Sequence, residues 1–135
     1  MLASALAALR HGQPDLVAYL VACHHGKVRM SIRSSPTERP PSRNGKDDPS
    51  IRHARGVWED DLLPSVDLGG GVVVPETRLT LGYMELGDDP TTGSSWAARM
   101  LALRDDPELG PFRLGFLEAL VKCADERASR AAADK

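Results

Sequence analysis

The stretch Leu20-Val21-Ala22-Cys23-His24-His25-Gly26-Lys27-Val28-Arg29 holds the densest chemistry in the chain. A thiol, two adjacent imidazoles and an ammonium group close an otherwise apolar run. Imidazole exchanges protons near neutral pH and ligates transition metals. About a hundred residues later, Asp125 and Ser129 stand one helical turn apart. Two imidazoles and a carboxylate can form one side of a divalent-metal site. Such a site lowers the pKa of a bound water and stabilises charge on a phosphoryl oxygen, which suits phosphodiester hydrolysis.

The element that presents the histidines is legible from its ends. Gln13-Pro14-Asp15 reads as a helix start, with Pro14 near the first turn and Asp15 favoured by the N-terminal dipole. Gly26 reads as the left-handed residue past the other end, so a helix is expected over 14–25. At about 100° per residue, His24 falls between Val17 and Leu20, and His25 between Ala18 and Val21. Both are expected to face the interior, where imidazoles need hydrogen-bond partners. Taken alone, the pair is served better by core histidines bonded to carbonyls or by imidazolium at a helix C-terminus than by a metal or catalytic role.

The remaining chain divides by composition. Residues 1–11 form an amphipathic helix with Leu2, Leu6 and Leu9 on one side, closed by His11-Gly12. The pattern starts without a capping signal, which leads to the expectation of an upstream part. Residues 27–56 are rich in Ser, Arg and Pro and read as a long, partly mobile loop. Val72-Val73-Val74 and Arg78-Leu79-Thr80-Leu81 read as strands within a β-ribbon over 57–86. Asp67-Leu68-Gly69-Gly70-Gly71 between them lacks the spacing of a phosphate-cradling loop and reads as a turn. A helix is expected over 94–104, capped by Ser94 or Ser95, with Trp96, Met100 and Leu103 on the core. Asp105-Asp106-Pro107 stops it, and Gly110-Pro111 opens a last helix to about Ala132. That helix is apolar round most of its circumference and is expected to be buried centrally. Asp125 lies at the edge of its apolar arc, beside Leu114 and Val121.

Bulk properties narrow the class. The chain has 135 residues, 41% hydrophobic and 27% charged, enough for one domain with a core. Aromatics are only 4%, so the core must be mostly Leu, Val and Ala. No apolar stretch nears the roughly 20 residues of a membrane span, and the first residues lack the basic region of a signal peptide. Cys23 and Cys123 both lie in apolar helical runs and are expected as buried, reduced thiols in a cytoplasmic protein, a single disulfide being the alternative. The net charge of −2 is uneven: residues 27–58 carry a local +5 and residues 59–135 a local −7. The basic stretch is either a solvated loop or a contact for nucleic-acid phosphates.

One pattern joins the two chemical segments. Val21-Ala22-Cys23-His24-His25-Gly26-Lys27, followed by Ala124-Asp125-Glu126-Arg127-Ala128-Ser129, resembles the HD nuclease domain of the CRISPR-associated nuclease-helicases of type I systems. Ser31-Ile32-Arg33-Ser34, Ala54-Arg55-Gly56-Val57-Trp58, Val66-Asp67-Leu68-Gly69-Gly70-Gly71 and Met84-Glu85-Leu86-Gly87 are most similar to the subtype I-G (formerly I-U) branch. The resemblance implies a mainly α fold, the C-terminal part of an HD-domain helical fold with a small β-ribbon insertion, spanning residues 1–135. It divides into a helical pair over 1–26, the basic loop over 27–56, the ribbon over 57–86 and a second helical pair over 94–132.

The same resemblance implies hydrolysis of single-stranded DNA with a divalent transition metal (Mn, Ni, Co or Fe), weakly held here. His24, His25 and Asp125 would be ligands, with Lys27 and Ser129 in supporting roles. The family's His-Asp dipeptide and a further histidine are absent. The chain is therefore expected to lack activity alone, and to depend on an N-terminal HD half and a helicase domain. The apolar sides of residues 1–11 and 14–25 would then be exposed. His11 and His53 are expected as plain surface residues. Two rivals remain: another HD phosphohydrolase acting on nucleotides, and a non-catalytic helical module that binds a partner.

Overall fold

A computed structural model describes residues 1–24, 28–43, 45–133. The helices are α1 (Leu2–Arg10), α2 (Asp15–Cys23), α3 (Trp96–Asp105) and α4 (Gly110–Ala133). Between α2 and α3, the described residues form ten two-residue strands, paired as five antiparallel ribbons. Of the described residues, 43% are helical and 15% strand. This corrects the expectation of a mainly α, HD-type helical fold: four helices share the molecule with a ribbon region that is no small insertion.

The helix ends follow local chemistry. Pro14 precedes α2 with φ −55°, and its carbonyl accepts the N–H groups of Val17 and Ala18. Ser95 caps α3, its hydroxyl accepting from the Ala98 N–H at 3.2 Å. Asp106 leaves helical geometry ahead of Pro107, and Gly110, at φ +64°, turns the chain into α4.

The ribbons begin earlier than the composition suggests. Ribbons β1 (Ser42–Arg43) with β2 (Lys46–Asp47) and β3 (His53–Ala54) with β4 (Val57–Trp58) begin within the stretch that reads as a loop. Val28, Ile32 and Ala54 of that stretch are buried in the core. Glu38 ties its two halves together: its carboxylate accepts the N–H groups of Ser35, Arg55 and Gly56 at 2.6–3.0 Å. Burial pushes that carboxyl up, but the three backbone donors outweigh it and leave it below the ordinary carboxylate range. They also hold the β3–β4 turn, where Arg55 and Gly56 both take positive φ.

The next two ribbons form one long hairpin. Pairs β5 (Leu62–Leu63) with β8 (Thr77–Arg78) and β6 (Val66–Asp67) with β7 (Val73–Val74) are nested. Pro64 and Pro75 lie one register step apart in the gap between the two pairs and interrupt the ladder on both sides, since neither supplies an N–H. The tip is the Asp67-Leu68-Gly69-Gly70-Gly71 turn, closed by Leu68 N–H to Val72 O at 2.9 Å, with all three glycines at positive φ. After a 3-10 turn (Gly82–Met84), β9 (Asp88–Asp89) pairs with β10 (Gly93–Ser94) and leads into α3.

The core sits among α1, α2, α3 and the segments that cross beneath them. Leu2, Leu6 and Leu9 of α1, Ala18, Tyr19, Ala22 and Cys23 of α2, and Trp96 and Met100 of α3 are buried with Leu79, Leu81 and Tyr83. The apolar side of α1 is thus covered by this chain itself, against the expectation of exposure, whereas on α2 Val17 is exposed and Leu16, Leu20 and Val21 are half-buried. The last helix reverses its expectation as well. Only Leu114 of α4 is buried, while Phe112 is 91% and Phe116 63% exposed. Its apolar arc is wide, but the chain provides a neighbour for one side only. Cys123 stands on the open side and is exposed, not buried; both cysteines are free thiols.

Candidate functional site

Helix α2 ends at Cys23, one residue before the histidines. His24 is its C-cap, half-buried rather than in the core, with its backbone N–H on Leu20 O at 3.3 Å. The ring turns back on the same helix, placing Nδ1 3.2 Å from Leu20 O. A proton on Nδ1 makes Nε2 the nitrogen able to accept or to ligate, the arrangement usual in metal-bound histidines. His25, Gly26 and Lys27 lie outside the described residues.

The segment from Val28 onward is pinned from both sides. The buried Cys23 thiol donates to Val28 O at 2.8 Å, and Trp96 Nε1 donates to Arg29 O at 2.7 Å. Arg29 therefore leaves the core at a fixed point and reaches α4. There its Nη2 and Nε donate to Glu118 Oε1 at 2.7 and 3.2 Å, while the Tyr19 hydroxyl donates to Glu118 Oε2 at 3.2 Å. Glu118 thus joins α2, the segment after it and α4 through one carboxylate. Burial pushes the Cys23 thiol up to about 12, with Glu118 adding in the same direction. Burial, then Cys23 and Glu118, likewise push the Tyr19 phenol above its ordinary range.

These side chains line an open pocket of about 440 Å³, floored by Pro111, Gly115 and Ala119 and flanked by His24, Arg29 and Lys122. A Cβ on Gly115 would meet nothing within 4 Å, so the groove there is open space. An imidazole, a guanidinium and an ammonium around one carboxylate can hold an anionic group and exchange a proton with it. Sequence reasoning selects His24, and Arg29 as part of the basic stretch, but not Glu118 or Lys122. Glu118 carries a usable signal: it is the one carboxylate between Phe112 and Val121 on α4, and an acid in an apolar run needs a partner.

Asp125 lies on the same face of α4, two turns beyond Glu118 and about 10 Å along the axis. It is half-buried, outside the pocket lining, and already has an interaction partner, as His24 does. Ser129 is exposed a turn further on. Among the described residues, no three His, Cys, Asp or Glu side chains converge as a metal would require. The donor chemistry of His24 and Asp125 nonetheless suits a transition metal. Neither of the other histidines joins them. His11 bonds Thr77 Oγ1 through Nε2 at 2.7 Å, and His53 bonds Ile51 O through Nδ1 at 3.0 Å.

A second cavity, about 280 Å³, lies between the end of α1 and the ribbons. Arg52 and Arg78 there face Glu59 and Asp60 at 2.9 and 3.8 Å, so much of its charge is neutralised from within. No helix among the described residues is long and apolar enough to cross a membrane. The chain matches no family model, no curated protein and no solved structure.

Proposed function

We propose that this chain contributes ligands to a metal-dependent centre that hydrolyses single-stranded DNA, as in the HD nuclease domains its motifs resemble, and that it is inactive by itself. One observation carries the reading. His24 turns its Nδ1 onto Leu20 O and lines a groove flanked by Arg29 and by Lys122, the latter on the helix that also carries Asp125. Imidazole, carboxylate and two cations beside an open groove suit a phosphodiester.

His24, His25 and Asp125 would hold the metal, whose chemistry is the activation of water and the stabilisation of phosphoryl charge. Arg29 and Lys122 would hold the backbone of the strand, with Lys27 and the basic residues 27–58 extending its path. Glu118 fixes Arg29 so that the guanidinium keeps one position. Three ligands hold one ion weakly and cannot hold two. The reading therefore requires ligands from a His-Asp-bearing partner segment, with a helicase domain to deliver the strand. A second reading, a non-catalytic partner-binding module, is favoured by the uncovered apolar side of α4.

The test adds Mn, Ni or Co to the purified chain and follows a labelled single strand, alone and with a separate His-Asp-bearing polypeptide. Cleavage is expected only in the mixture, to be abolished by chelation and by His24→Ala or Asp125→Ala. Cleavage by the chain alone that those two variants abolish would overturn the claim of incompleteness. Cleavage in the mixture that survives both variants would overturn the ligand assignment.

A further inference from the structure

Helix α4 runs for 24 residues, but only one side of it touches the rest of the chain. Leu114 is buried, and Leu117, Glu118, Val121 and Asp125 are half-buried. On a helical wheel these five cluster on one side. Phe112, Phe116, Ala119 and Cys123 occupy an arc of about 60° on the opposite side. All four are exposed, Phe112 at 91% and Phe116 at 63%, and Leu120 at 50% flanks them. Their spacing of four, three and four residues is that of a two-helix seam. Water is a poor neighbour for such a stripe, and contiguous apolar surface of this kind marks an interaction site.

The charges at its two ends say what covers it. The residues leading into the stripe, 105–113, hold three carboxylates and one guanidinium. Those leaving it, 126–130, hold two guanidinium groups and one carboxylate. Two such helices side by side and parallel would set acid against acid and base against base. Turned antiparallel about the midpoint between Phe116 and Ala119, they set Phe112 against Cys123 and bring Glu108 towards Arg127. The two-fold axis repeats each match. We propose that a second copy of this chain docks here, the α4 helices forming an antiparallel homodimer seam built on Phe112, Phe116 and Cys123.

The seam adjoins the Glu118 groove, with Ala119 at the edge of both, but it uses none of His24, Arg29, Glu118, Lys122 or Asp125, so the inference stands apart from the proposed metal chemistry. Phe112 and Phe116 are the anchors, each packing an aromatic ring against its neighbour helix. The Phe112–Cys123 pairing adds a sulfur–aromatic contact at both ends.

Sedimentation velocity of the full chain is expected to give a dimer that dissociates on dilution. Phe116→Asp places two carboxylates in the seam, one per copy. It is expected to weaken association by roughly 30-fold or more with an unchanged circular dichroism spectrum. Phe112→Cys supplies a thiol opposite Cys123 of the other copy. Mild oxidation is then expected to give a covalent dimer linked 112 to 123, identified by peptide mass, while the wild-type chain gives none. A wild-type monomer at every concentration overturns the proposal. So does a dimer indifferent to Phe116→Asp, or a wild-type chain that oxidises through Cys123 to Cys123, which is the parallel arrangement.

Discussion

Helices α1 and α4 are both apolar segments, and they meet opposite fates. α1 buries four of its nine residues, whereas α4 buries one of its 24. Apolar content differs, seven of nine residues in α1 against thirteen of 24 in α4, but far less than burial does. α1 is short and lies across α2 and the β8 end of the hairpin, so its Leu2–Leu6–Leu9 side is closed on arrival. α4 is long, packs against α2 and α3 along one edge, and has nothing on the other. Burial is set by how many neighbours a chain can bring to a helix; the width of an apolar arc only says how many it could use.

The largest expected effect tests that contrast directly. Trp96 is fully buried and its Nε1 holds the Arg29 carbonyl, so Trp96→Ala removes a core ring and a hydrogen bond together. A loss of about 3–5 kcal/mol is expected in urea denaturation followed by circular dichroism. Phe112→Ala deletes a side chain of similar class at the other extreme of exposure. In dilute solution it is expected to shift stability by no more than about 0.5 kcal/mol. Equal losses for the two would erase the distinction between the closed and open sides.

A smaller effect separates the two sides of the groove. Glu118→Ala removes the acceptor of the Tyr19 hydroxyl and releases Arg29. Losing hydrogen bonds to a charged, part-buried carboxylate is expected to cost about 1–2 kcal/mol. Lys122→Ala, one turn away on the groove's rim, is expected to leave stability within about 0.5 kcal/mol. If the two variants unfold at the same urea concentration, Glu118 is not the joint between α2 and α4.

How far these features are legible in the sequence depends on their range. Pro14, Ser95, Asp106-Pro107 and Gly110 act within a few residues, and the helix boundaries follow from them closely. Of the ribbons, the hairpin through Val73–Val74 is legible from its valine run, but those that begin before residue 57 are not, because a two-residue ladder leaves no alternating pattern to find. The Pro-rich stretch 27–56 reads as a loop because prolines do forbid helix. They do not forbid short ribbons held by a carboxylate such as Glu38, whose three partners are 3 to 18 residues away. In the candidate site, His24 stands out by its chemistry. Its expected burial fails because the side of α2 that it continues is not covered: His24 keeps helical geometry, and its wheel neighbours Val17 and Leu20 are exposed and half-buried. Arg29 and Glu118 meet across 89 residues, which no local spacing encodes.

The smallest perturbation of the fold comes from the two thiols, which sit on the two kinds of surface. Cys123, exposed on the open side of α4, is expected to react with a thiol reagent at neutral pH without change in stability. Cys23 is buried, donates to Val28 O and is pushed up to about 12, so it is expected to react only at the rate of unfolding. The pH dependence follows from the same shift. The folded thiol ionises above the unfolded one, whose pKa is about 8.5. Its contribution to stability is complete below pH about 8.5 and is lost as pH rises from there towards about 12, because only the unfolded chain releases the proton in that window. Cys23→Ala is expected to flatten the fall in stability across the lower part of that window, before the Tyr19 phenol adds its own slope of the same sign above about pH 10. Rapid labelling of both thiols in the native chain would place Cys23 on an open surface, and the contrast between the two sides of the molecule would fail at its most sensitive point.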